Sequence, residues 1–392
     1  MVLLLPSVKD LPKSNNRLEL WFDSSPCSFF QWRDSLQLAP EKQGCLWNDH
    51  NIASSLIQGS TTNPAIVLNT VKELMPSLER WMREKSPSCP SAQALAWALY
   101  KEIAARGARA LLPLYEATAG KRGYISVQVD PRLETWEDIV RQGIELSRIA
   151  ANVQIKLPGT KQGIDALREL TAMGISTNVT LCFTVSQLIA VAKVVRQGWE
   201  EARAKGLDLT RWRSNAIMML GRFEESTEFT KQAAERNIRL SEQELRWVGL
   251  AILKRAYAQY NENNYVTQLM AASMRPGPTI NGITQVWHVQ KLAGMNVVLT
   301  IFPNIWEVLL AQEGRLPYPN AANENIEQEL LSKLLQVPLF YQAYEPQALV
   351  ADDFAGFPPV VETRKSFISA MHELEELMEP MTTDRRSSID IR

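Results

Sequence analysis

Short apolar runs alternate with longer amphipathic stretches along nearly the whole chain. Eight runs read as strands: Leu18–Asp23, Ser60–Asn63, Ile125–Val129, Val153–Leu157, Thr177–Phe183, Ser214–Met219, Thr267–Ser273 and Asn296–Ile301. Each is short, rich in Val, Ile, Leu or Thr, and bounded by polar, Gly or Pro residues. Between most of them apolar residues recur at i, i+3 and i+4, as in Ala92–Arg106, Ser186–Lys205 and Leu240–Tyr260, which predicts amphipathic helices. Eight strand–helix units predict an α/β fold, and eight parallel strands close best as a (β/α)8 TIM barrel with extra helices. Such a barrel needs about 250 residues. The rest of the 392 falls between strands one and two, in helices around Ala65–Glu116, and in a helical stretch from Asn323 to Glu379. No linker or internal repeat divides the chain, so one barrel domain over 1–392 is expected, its helical C-terminal extension starting near residue 320. The polar tail beyond Glu379 is expected to fray.

Barrel chemistry lies at the C-terminal ends of the strands. Strand one ends at Asp23 and strand two at Asn63. Strand three points Gln128 inward and is followed by Asp130. Strand four carries Lys156, and strand five places Asn178 and Thr180 two apart on one face. Strand six runs into Arg222, and strand seven ends with Ser273 and Arg275, before a helix expected near Thr279. Taken singly, these are ordinary: a Thr is a good strand former, an Asp after a strand is commonly a turn residue, and a lone Lys or Arg is commonly a solvated or paired cation. Jointly they put a lysine and many polar groups on one buried rim, which is costly unless they serve a purpose.

Composition narrows the classes. With 42 Lys+Arg against 43 Asp+Glu, the formal net charge is −1, giving no whole-molecule field toward nucleic acid or an anionic membrane. The 11 Trp are scattered with no interleaved basic cluster, so no nucleic-acid partner is expected. Four Cys without a CxxC pair and three His without HExxH argue against a disulfide scaffold and a metal site; neither metal nor cofactor is expected. Cys182 is read as packing on the face opposite Thr180. The opening Met1–Pro6 run is too short for a signal peptide or a span, so no membrane partner and a cytoplasmic location are expected.

The run NVQIKLPGTKQGIDALRELTAMGISTNVTLCFTVSQ resembles the core signature of the transaldolase family, the class I lysine-imine aldolases. GSTTNPAI resembles the family's second-strand motif, and LWFD, SVQVDPRL, LGR and AASMR follow its order. The likeness runs from about Leu18 to Leu310 and continues more weakly beyond. The resemblance implies a transferase of carbohydrate metabolism, in the pentose phosphate pathway, that moves a three-carbon dihydroxyacetone unit between phosphorylated sugars. Lys156 would form the Schiff base, an electron sink for the carbanion left by C–C cleavage. Asp23 would take the C4 hydroxyl proton, Thr180 would orient a catalytic water, and Asn63 and Asn178 would hydrogen-bond the three-carbon unit. Arg222, Ser273 and Arg275 would grip phosphate; a homodimer is left open.

Two positions depart from the family pattern. Gln128 stands where transaldolases carry a proton-shuttling Glu, and a neutral amide cannot exchange that proton. Ile217 replaces a donor-binding Ser. The related fructose-6-phosphate aldolases also carry Gln, but with a sixth-strand Tyr where this chain has Met219. The alternatives are therefore an aldolase releasing free dihydroxyacetone, or a non-catalytic descendant that binds sugar phosphate.

Overall fold

The computed structural model describes residues 18–312 and 314–383; the Met1–Pro6 run and most of the tail beyond Glu379 lie outside them. Eight parallel strands close into a barrel: β1 (Glu19–Phe22), β2 (Ile57–Thr61), β3 (Tyr124–Gln128), β4 (Val153–Pro158), β5 (Thr177–Cys182), β6 (Ser214–Met219), β7 (Gln268–Ala272) and β8 (Val298–Ile301). Every strand pairs with its sequence neighbours, and β8 closes on β1 through Trp21 beside Thr300. Each sequence-predicted strand overlaps one of these. The second begins at Ile57, three residues early, because Ile57, Gln58 and Gly59 are also buried strand residues. Gly59 is required there: a Cβ would lie 2.5 Å from the Trp21 indole, which fills the barrel beside it.

The helix from Ala92 is longer than the periodicity alone shows; the others match it closely. Ala65–Glu116 resolves into Pro64–Lys85 and Ala92–Ala117, and the other two predicted helices run Val185–Ala204 and Glu242–Asn263. Several helices that leave the barrel mouth start on a capping side chain: Asn63 accepts from Ile66 N–H, Thr160 from Gly163 and Thr184 from Gln187. These caps fix how the chain leaves each strand end, and so where the rim residues sit.

Outward strand residues such as Ile125, Ile155, Leu157 and Val179 are fully buried under the helices. The inward layers mix polar residues with apolar ones such as Trp21 and Met270. At the closed end Arg213 forks onto Glu19 at 2.8 and 2.9 Å and also donates to Gln268. Above it Gln154 Nε2 donates to Asn215 Oδ1 at 3.0 Å.

The region from Asn323 onward is helical in pieces, with Gln328–Leu334, Pro338–Tyr344 and the long Pro358–Glu376. The last packs on Pro64–Lys85 and Ala92–Ala117 and reaches β5. Its Arg364 donates to Pro131 O at 2.8 Å, while Arg132 bridges Glu375 to Asp130. Asp130, expected at the mouth, is therefore engaged by Arg132 beside it. The expected helix near Thr279 is instead a two-stranded hairpin, Thr279–Ile280 with Ile283–Thr284. Asn281 and Gly282, at φ 50° and 74°, form the two-residue Asn-Gly turn that folds this segment back on itself as a hairpin. No described helix is long and apolar enough to cross a membrane.

Candidate active site

The register sets Gln128 beside Lys156 and Lys156 beside Asn178, so three adjacent strands present one inward layer. Thr180 lies two residues further along β5, beside Pro158. Asp23 follows β1, its N–H donating to Ile301 O at 2.9 Å. Asp23, Gln128, Lys156, Asn178 and Thr180 are all buried.

Lys156 Nζ donates to Thr62 O at 2.9 Å. Burial lowers its pKa to about 8; the Asp23 charge opposes that shift and Arg222 adds to it. Burial raises the Asp23 carboxyl to about 6, opposed by Lys156, the Thr61 hydroxyl, Arg222 and the Ser273 N–H. Thr61 Oγ1 donates to Asp23 Oδ1 at 2.6 Å and lies 2.7 Å from Thr300 Oγ1. The two ionisable groups thus change charge on either side of neutrality, as an amine nucleophile and a carboxylate base require.

Two buried acceptors flank the lysine. Gln128 Oε1 and Asn178 Oδ1 accept no hydrogen bond from the described residues, although Asn178 Nδ2 donates to Ser126 Oγ at 2.6 Å. Buried polar atoms are normally satisfied, so this pair suits a hydroxylated ligand. Thr180 Oγ1 contacts the soft Met219 sulfur at 3.8 Å. Asn63 is partly committed elsewhere: its Oδ1 caps the helix at 3.0 Å from Ile66 N, leaving its NH2 group for other contacts. Cys182 is buried, as read. Strict alternation would place it on the same side as Thr180; Leu181, at φ 60°, shifts the register there, and Cys182 Sγ faces the Gly159 turn.

Arg222 sits on the short helix Leu220–Glu224, half-buried, with its guanidinium 5.6 Å from the Phe367 ring. Arg275 is instead engaged, donating to both carboxylate oxygens of Glu225 at 2.6 and 2.5 Å. Ser273, at φ 58°, joins β7 to this loop. A buried chain lies beneath: Arg275 N–H donates to His288 Nδ1, so His288 Nε2–H donates to Glu224 Oε1 at 2.7 Å, and Glu224 pairs with Arg246. One carboxylate therefore ties together the segments that carry both arginines. Thr61, Ser126, Glu225, His288 and Phe367 were not singled out in the sequence. Thr61 and Ser126 had a signal, lying two before Asn63 in the GSTTNP motif and two before Gln128 in SVQVDPRL. Among the described residues no group of three His, Cys, Asp or Glu could hold a metal ion.

The sequence profile described as Transaldolase/Fructose-6-phosphate aldolase matches residues 32–351. The chain belongs to this family. It is 33% identical over 199 residues to a protein named Transaldolase from Thiobacillus denitrificans, covering 49% of this chain and 53% of that one. It is 31% identical over 235 residues to a Transaldolase from Mycobacterium bovis, covering 59% and 61%. A Transaldolase 1 from Streptomyces avermitilis is 34% identical over 155 residues, covering 39% and 40%. The matches thus span roughly 40 to 60% of these curated relatives' length. In this transaldolase/aldolase family member, Asp23 precedes the matched profile, yet barrel closure through β1 brings it to Lys156.

Proposed function

We propose that the protein transfers a three-carbon dihydroxyacetone unit between phosphorylated sugars through an imine on Lys156. The observation that carries this reading is the pairing of Lys156, with its pKa near 8, and Asp23, raised to about 6, inside a barrel mouth lined by unpartnered amide acceptors. Near neutral pH a minor but usable fraction of Lys156 is a free amine that can attack a ketose carbonyl. Dehydration of the carbinolamine gives the imine, and Asp23 takes the C4 hydroxyl proton as the C3–C4 bond breaks. The electron pair passes into the imine as an enamine, which then adds to an aldehyde acceptor. Asn178 and the Asn63 amide hold the three-carbon hydroxyls. Thr180 orients the water that makes and breaks the imine, with Gln128 its hydrogen-bond partner. Phosphate binds at Arg222, beside Ser273 and Arg275.

A second reading, cleavage that releases free dihydroxyacetone, is favoured by Gln128, the residue type that the related fructose-6-phosphate aldolases also carry at this position. Fructose 6-phosphate supplied with and without an aldose-phosphate acceptor separates the two. Product that depends on acceptor supports transfer, acceptor-independent dihydroxyacetone supports the aldolase, and neither product overturns both.

A further inference from the structure

The two rim arginines differ in what they have left to offer. Arg275 spends its donors inside the protein: Nε and Nη2 clasp both oxygens of Glu225, while Nη1 reaches Ser273 O at 3.1 Å, Met274 O at 3.0 Å and Ser273 Oγ at 3.3 Å. Its backbone is also fixed by His288. Arg222 makes no hydrogen bond or ion pair with any described residue, and only the Phe367 ring faces its guanidinium. Its half-buried charge feels Arg275, Glu225 and Asp23. An anion arriving at Arg222 therefore meets a carboxylate already seated on the neighbouring arginine. A bidentate arginine–carboxylate fork has the geometry that a phosphate would itself adopt.

We propose that Glu225 is a specificity-determining residue, an internal competitor for substrate phosphate. By occupying Arg275 it leaves Arg222 as the single anchor and weakens the preference for phosphorylated over unphosphorylated ketoses. This inference rests on the reading that phosphate binds at Arg222. Removing the Glu225 charge frees two donors of Arg275 and gives an incoming dianion two cations instead of one. Glu225 is about half exposed, so solvent screens the competition and the effect is a few-fold rather than a thousand-fold.

The test uses inorganic phosphate as a direct probe, with no chemistry required. Calorimetric titration compares the intact protein with Glu225→Gln, Glu225→Ala and Arg222→Ala, each checked for folding by circular dichroism. Both Glu225 variants are expected to bind phosphate about three- to tenfold more tightly, and Arg222→Ala to lose most binding. Fructose 6-phosphate needed for half-maximal borohydride trapping should fall by the same factor in Glu225→Gln, while dihydroxyacetone stays within twofold. Unchanged or weaker phosphate binding in folded Glu225 variants, with Arg222→Ala still impaired, overturns the role of Glu225 alone. Arg222→Ala that binds phosphate like the intact protein places the anion elsewhere and overturns the phosphate subsite as well.

Discussion

Withdrawing an ammonium from water is unfavourable, and Lys156 bears that cost at the point where a neutral amine is useful. The proposed mechanism requires Asp23 ionised and Lys156 neutral. The rate of C–C cleavage should therefore climb with slope near two below pH 6, with slope near one from about 6 to 8, and level off above 8. Asp23→Asn should remove the steep lower limb along with most of the activity; a profile flat from pH 5 to 9 contradicts both assignments. The same burial affects stability. The folded pKa of Lys156 lies below the unfolded value of 10.5, so the penalty is full below pH 8 and fades as pH rises toward 10.5. Lys156→Met should stabilise the protein at pH 7 by about 1–3 kcal/mol, with the gap closing near pH 10 in thermal unfolding. A less stable variant at pH 7 shows that the lysine is not strained. Gln128 is the residue on which the two proposed activities divide. Gln128→Glu restores a proton-exchanging group beside Lys156 and should raise acceptor-dependent transfer by about tenfold or more. A folded variant slower at every pH means Gln128 serves another chemistry.

At the level of elements, the strands were legible because buried parallel strands carry apolar residues that stand out between polar turns. Their ends were legible because the chemistry-bearing residues alternate with that pattern. What the chain did not announce is how loops and helices meet. The Asn63 cap could be read from Asn-Pro at a helix start. The hairpin after β7 follows from the Asn281-Gly282 turn, which outweighed the expectation of a helix. Glu225 on Arg275 spans 50 residues and Phe367 on Arg222 spans 145, and neither leaves a local pattern. The long helix Pro358–Glu376 thereby gains a role at the site: its buried Phe367 ring holds the unpaired arginine. Phe367→Leu keeps an apolar side chain but removes the π face, a contact contributing about 0.5–2 kcal/mol. KM for phosphorylated donors should rise about two- to tenfold while kcat on dihydroxyacetone chemistry changes little. Equal losses on both kinds of substrate mean that the ring serves only packing.

Across the whole molecule, a barrel of this kind is ordinarily filled by branched apolar layers. Here Ser126, Gln154, Asn178 and Asn215 replace them, several with unpartnered atoms. Of these only Asn178 stood out in the sequence; Gln154, Asn215 and Ser126 lie deeper in the strands, among ordinary strand residues. With a net charge of −1 the protein has no long-range field for anionic sugars, so recognition rests on the local cations. Imine chemistry needs no Lewis acid, and activity is expected to persist in excess chelator; a loss reversed by a divalent ion contradicts that. The central claim is that Lys156 is the nucleophile. The most direct test is borohydride reduction in the presence of fructose 6-phosphate or dihydroxyacetone, followed by peptide mass spectrometry. The account predicts a substrate-derived fragment on the peptide containing Lys156, absent from Lys156→Met. A fragment on another lysine, or none from a protein that turns over substrate, would contradict it.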